Sequence, residues 1–203
     1  MRSRLWRWTA PHPDWRPGAE PESPGDWPAD VGSVAYAAPG ALVLVDPLVP
    51  DESWGALDAL VERHGPRVLV LTTIRWHRRS RAAVAARYGA STSRARASLP
   101  QGVEMVPIRR AGETMVWIPE HRALVPGDRL VGGAGELRLC PESWLSYLPG
   151  KPSLRDLVEA LRPLLELPVE MVLTSHGEPV LAGGREAIER ALVHEQNSSA
   201  TPR

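Results

Sequence analysis

Three apolar runs in this 203-residue chain end where ligand chemistry begins. Leu124-Val125-Pro126-Gly127-Asp128 ends on a carboxylate, and Met171-Val172-Leu173-Thr174-Ser175-His176-Gly177 reaches an imidazole. The third, Val68 to Leu71, runs on through Thr72 to Arg78 and delivers His77 among arginines. A polar residue at the end of a buried strand is held by rigid backbone while its tip meets solvent, which is where sites are commonly built. Taken singly, Asp128 also reads as a turn aspartate and His176 as a capping histidine, so chemistry requires that the two meet. His12, in Pro11-His12-Pro13, joins them if the N-terminal leader folds over the mouth.

The arginines offer different chemistry. Arg75, Arg78, Arg79 and Arg81 surround the start of an expected helix at Ser80. Backbone N–H groups and the helix dipole favour an anion there, and forked guanidinium donors suit a phosphate or carboxylate. The alternative is a solvated basic helix start. A small anionic molecule is therefore one expected partner. Other candidates carry less: Gly132-Gly133-Ala134-Gly135 reads as a loop, Ser143 and Ser175 lack an acyl-transfer setting, and Cys140 reads as a buried structural thiol.

These residues must be held by elements that the pattern also predicts. Strands are expected at 33–37 and 41–45, the second closed by Asp46-Pro47, with a helix over 52–64 capped by Asp51. Val68–Leu71 is an uninterrupted apolar strand, which implies burial on both faces. A short helix over 80–88 stops at Gly89. A meander follows, with strands at 103–107, 113–118 and 122–125. A helix over 153–165 starts at the pair Ser153 and Asp156, a strand spans 169–173, and a helix spans about 184–194. Pro11, Pro13, Pro17, Pro21, Pro24 and Pro28 bar regular structure over 9–30. Residues 1–30 thus read as a Pro/Trp-rich leader pinned by Trp6, Trp8, Trp15 and Trp27, 31–196 as one domain, and 197–203 as a disordered tail.

Formal net charge is zero, which gives no reason to expect nucleic acid or an anionic membrane as partner. Lys151 is the only lysine; the other basic side chains are arginine. A single cysteine excludes an internal disulfide and fits a cytoplasmic protein. Arg2, Arg4 and Arg7 precede no apolar segment of signal-peptide type, and no stretch reaches the ~20 apolar residues of a membrane span.

The segment Trp117-Ile118-Pro119-Glu120-His121-Arg122-Ala123-Leu124-Val125-Pro126-Gly127-Asp128-Arg129-Leu130-Val131-Gly132 resembles the central "LPE–R–LF–GD–L" segment of metallo-β-lactamase-fold hydrolases. Thr174-Ser175-His176-Gly177-Glu178-Pro179 is similar to their late "GHG–P" segment, and Ala41–Pro47 to their early strand ending in aspartate. The resemblance covers about 33–192. It implies an α/β (α+β) fold, the four-layer αββα sandwich of the metallo-β-lactamase type. Asp128 would then match the metal-bridging aspartate and His176 the last metal ligand.

The departures from that family concern its main motif, His-x-His-x-Asp-His. Thr73, Arg75, His77 and Arg78 stand at its four ligand positions when read without gaps. A shift of one brings His77 onto the last histidine. Glu113, in Gly112-Glu113-Thr114, falls near the family's middle histidine as a carboxylate substitute. Arginine cannot ligate, and a guanidinium about 4 Å from a dication costs on the order of 8 kcal/mol at an effective dielectric of about 20. The expectation is thus a degenerate member that lacks the dinuclear zinc site and has no metal cofactor. It would bind or regulate through a pocket using Arg75, Arg78, Arg79, Asp46 and Glu113. The alternative is a hydrolase of an ester, thioester or phosphoester with one zinc or iron ion on His77, Asp128 and His176.

Overall fold

The computed structural model describes residues 3–92 and 98–199, with side chains as far as His194. Two four-stranded sheets face each other. The first has the order β1 (Leu5–Pro11), β2 (Asp30–Ala38), β3 (Ala41–Val45), β4 (Val68–Leu71), with β3 and β4 parallel and the other pairs antiparallel. Taking the remaining strands as β5 (Glu104–Ile108), β6 (Glu113–Ile118), β7 (Ala123–Val125), β8 (Leu130–Gly133), β9 (Glu136–Leu139) and β10 (Met171–Val172), the second sheet runs β10-β7-β6-β5. In it β10 and β7 are parallel, while β8 and β9 form a separate hairpin. Helices α1 (Trp54–His64) and α2 (Arg81–Tyr88) lie on the first sheet, and α4 (Gly184–Ser199) packs on the second, with α3 (Leu154–Leu161) against α4. This is the four-layer αββα sandwich.

The apolar runs follow from burial on both faces. On β3, Val43 and Val45 point between the sheets with Tyr36, Leu69 and Leu71, against Val116, Ile118, Val125 and Leu173. Leu42 and Leu44 point the other way, beneath Leu57 of α1 and Val84 of α2. The outer face of the second sheet puts Met115, Trp117 and Leu124 against Leu157, Val158 and Ile188. Each such fully buried side chain contributes about 1.5–3 kcal/mol. Among the described residues no helix is long and apolar enough to cross a membrane.

Topology brings the site residues to one edge. The parallel pair β3 and β4 both end there, as do β7 and β10, and the antiparallel β6 and β2 both begin there. Asp46, Thr73, His77, Asp128, His176 and Glu113 follow or open those strand ends. The edge is stitched across the sheets by Gly32 N–H to Ser175 O at 2.7 Å and Thr114 N–H to Thr73 O at 2.9 Å.

Several expectations need correction. Residues 5–11 of the leader form strand β1, paired from Leu5↔Tyr36 to Pro11↔Asp30. Pro11 is tolerated because it closes an edge strand. β1 carries the chain to the site edge, so His12 arrives at the mouth. Asp51 does not cap α1; residues Asp51–Ser53 form a 3-10 turn, and the helix starts at Trp54. Ser153 and Asp156 do form a reciprocal capping box, but α3 ends at Leu161 and passes into a 3-10 turn containing Pro163, which has no N–H to continue the ladder. Helix α4 runs on to Ser199, so residues 197–199 of the expected tail are helical; 200–203 and Arg2 lie outside the described residues.

Candidate metal centre

His77 stands between two carboxylates. Its Nδ1 lies 2.9 Å from Asp46 Oδ2 and its Nε2 lies 2.9 Å from Asp128 Oδ1. His176 Nε2 lies 3.2 Å from that same Asp128 oxygen. Asp46 is fixed in turn: its Oδ1 accepts the Thr73 backbone N–H at 2.9 Å, and its Oδ2 accepts the Thr73 hydroxyl. Trp76 Nε1 donates to Asp128 Oδ2 at 2.7 Å, leaving Oδ1 to face the two imidazoles. All three side chains, His77, Asp128 and His176, are buried.

The contacts on Asp128 Oδ1 are short but lack hydrogen-bond direction, and His176 Nδ1 is buried with no partner. His77, Asp128 and His176 donor atoms lie within 4.8 Å of one another, and they are the one such group of three among the described residues. Donors around a tetrahedral zinc ion, with bonds near 2.0–2.1 Å, sit roughly 3.3 Å apart. Three donor atoms this close together could hold a divalent ion. The Asp46–His77 contact fixes the orientation of the imidazole, as a carboxylate does behind a metal-bound histidine.

Charge in the cluster is strongly coupled. Burial disfavours a charged His77, but Asp128 and Asp46 outweigh it and push the imidazole up to about 9. Burial lowers His176, with Asp128 acting against it. Burial would raise Asp128, but His77 and His176 hold it well below the usual carboxylate range. The two carboxylates around His77 favour positive charge at this point.

The arginines of this segment divide between solvent and the frame of the site. Arg75 and Arg78 are exposed, because the turn made by His77 N–H to Ile74 O directs only Thr73, Ile74 and His77 inward. Arg75 lies over the Trp76 ring, 5.7 Å from its centroid. Arg79 is the inward guanidinium, and it is spent on the frame. Its Nη1 donates to Gly32 O at 2.6 Å and Asp46 O at 2.8 Å, and its Nη2 to Ser175 Oγ at 2.6 Å. Arg7 of β1 donates to Thr174 O at 3.1 Å and Gly177 O at 2.9 Å. Two arginines thus clamp the loop that carries His176, with charge-assisted bonds stronger than neutral ones.

Glu113 lies outside the group of three donors. Its carboxylate accepts the backbone N–H groups of Gly127, Asp128 and Arg129 at 2.9, 2.8 and 3.0 Å, so it shapes the Asp128 loop from behind. Burial raises its pKa, while Arg129 and those amides pull it down. Arg129 is fully buried with Nε donating to Ala111 O at 2.9 Å, a role nothing in the sequence marked.

A cavity of about 390 Å³ opens over the three donors. Arg75, Arg79 and His12 line it, while Arg78, Asp46 and Glu113 do not. Its aromatic walls were also missed: Trp27 and Trp144 meet the His176 ring edge-on at 5.8 and 5.4 Å, with Trp76 and Tyr147 nearby. The only signal was the tryptophan count, eight with no phenylalanine.

A four-layer sandwich with metal-type donors at one edge defines a metallo-β-lactamase fold, and solved structures bear this out. A metallo-β-lactamase family protein from Thermus thermophilus is 16% identical, with 96% of this chain and 80% of that one covered and a TM-score of 0.54. An NDM_FIM-1 like metallo-β-lactamase from Erythrobacter litoralis, solved in the mono-zinc form, is 15% identical over 97% of this chain and 94% of its own, with a TM-score of 0.61. DIM-1 metallo-β-lactamase is 10% identical over 98% and 95%, with a TM-score of 0.60. No family model matches the sequence, and no curated protein does. At these identities the likeness establishes the fold.

Proposed function

We propose that this chain is a hydrolase of an ester, thioester or phosphoester, working with a single zinc or iron ion held by His77, Asp128 and His176. The observation that carries this reading is the convergence of three buried donors whose contacts to one another lack hydrogen-bond direction. The mono-zinc form of a neighbour with the same fold supports it. When bound, such an ion supplies a Lewis acid that acidifies water. The chain's own residues do the rest. Asp46 orients His77, the Trp76 indole holds the far oxygen of Asp128, and Arg7 and Arg79 fix the His176 loop. In the reaction, water oxygen bonds to the acyl carbon or phosphorus, the bond to the leaving oxygen or sulfur breaks, and the leaving group takes the proton.

One observation favours a second reading, a metal-free binding or regulatory protein. His77, pushed up to about 9 between Asp46 and Asp128, is an imidazolium at neutral pH and can occupy the cation's place itself. Turnover of aryl ester, thioester and phosphoester substrates by chelator-stripped, zinc-reloaded and Asp128→Ala protein separates the two. The hydrolase reading expects a loss of about a hundredfold or more on stripping and in Asp128→Ala, with recovery on reloading of the wild type. Absence of turnover from protein that has taken up zinc supports the binding reading.

A further inference from the structure

The cavity's walls say what kind of molecule it accepts. Four large hydrophobic side chains are exposed among the described residues, and only two are aromatic: Trp76 at 40% and Tyr147 at 62%. Both line this cavity. Exposed aromatic surface is unfavourable in water, and its concentration around one opening marks a binding face. The aromatic lining continues inward through Trp27 and Trp144, which stand edge-on to His176. Trp144 is fixed by its Nε1 donating to Ser23 O at 3.1 Å, so part of the wall is held by the leader.

Charge adds a second constraint. Arg75 lines the cavity, is exposed and lies over the Trp76 ring, which the buried Arg129 guanidinium also meets at 5.9 Å, and it makes no ion pair among the described residues. Arg79, by contrast, is committed to two carbonyls and a hydroxyl. The acids that line the same cavity are Asp14 on the leader and Asp128 among the donors. Arg75 is therefore the cation available to an entering anion, and its guanidinium over an indole presents donors beside an aromatic surface.

We propose that the substrate has a planar aromatic body and an anionic substituent, the ring packing against Tyr147 and the exposed part of Trp76 and the anion meeting Arg75. This deepens the hydrolase reading, on which it rests only for where the reacting bond would lie.

Calorimetric titration of the full chain tests it with three probes: naphthoate, decahydronaphthoate of similar size without aromaticity, and the neutral naphthalenemethanol. Each is titrated into chelator-stripped and zinc-loaded protein. Naphthoate is expected to bind roughly tenfold more tightly than either comparison probe in both states. Tyr147→Ala and Trp76→Leu should shrink the aromatic preference, and Tyr147, being largely exposed, can be replaced without threat to folding. Arg75→Gln should remove the preference for carboxylate over alcohol. Equal binding of the aromatic and saturated acids, or preferences unchanged in the variants, overturns the proposal. A carboxylate preference found only with zinc present overturns the part played by Arg75. Aromatic preference in protein that takes up no ion supports this proposal while refuting the hydrolase reading, so the two fail separately.

Discussion

Glu113→Ala is expected to lower the free energy of unfolding by about 3–5 kcal/mol, measured by urea denaturation at neutral pH. The carboxylate accepts three successive backbone N–H groups, from Gly127, Asp128 and Arg129, in a fully buried place. Alanine leaves these three donors without a partner and also leaves the buried Arg129 guanidinium, whose Nε is 3.9 Å from Glu113 Oε2, without its counter-charge. Glu113→Gln keeps one acceptor oxygen and should cost less than alanine. A loss below roughly 1 kcal/mol for the alanine variant would mean that the Asp128 loop is held by something else.

The second large effect falls behind His176. Gly177 has φ +75°, and a Cβ there would drive into the carbonyl of Gly132; a Cβ on Gly132 would drive into the carbonyl of Glu178. The β8 strand and the His176 loop approach backbone to backbone, with Gly132 N–H donating to His176 O at 3.0 Å. Gly177→Ala combines strain at positive φ with a clash against backbone that cannot swing aside, so a cost of at least about 3 kcal/mol follows. For a chain of this size that lowers the melting temperature by roughly 10 °C, readable by circular dichroism. A shift under roughly 3 °C would show that the two segments separate freely.

The donors were legible in the sequence for a definite reason. A strand buried on both faces reads as an unbroken apolar run, so the first polar residues after it mark the point where the chain leaves the core. That logic picks out Asp46, Asp128 and His176 without any structure. It does not tell which way a side chain points in the turn that follows. Arg75, His77 and Arg78 look equivalent in spacing, yet only His77 turns inward, since Asp46 and Asp128 receive an imidazole there and the guanidinium groups stay in water. The setting of Glu113 was not legible, because its partners are amides 14 to 16 positions later, a relation that spacing does not encode. The β8–β9 hairpin was hidden for the opposite reason. Its glycines look like a loop, but Gly132 is needed where two backbones meet, and Ala134-Gly135 makes the turn with both φ positive. Strand β1 was masked by the prolines that follow it.

Metal content after expression in zinc- and iron-supplemented medium tests the central claim, that one divalent ion sits on His77, Asp128 and His176. Wild-type protein should retain about one equivalent, and Asp128→Ala less than roughly a tenth. Two equivalents in the wild type, or the same content in both proteins, would contradict it.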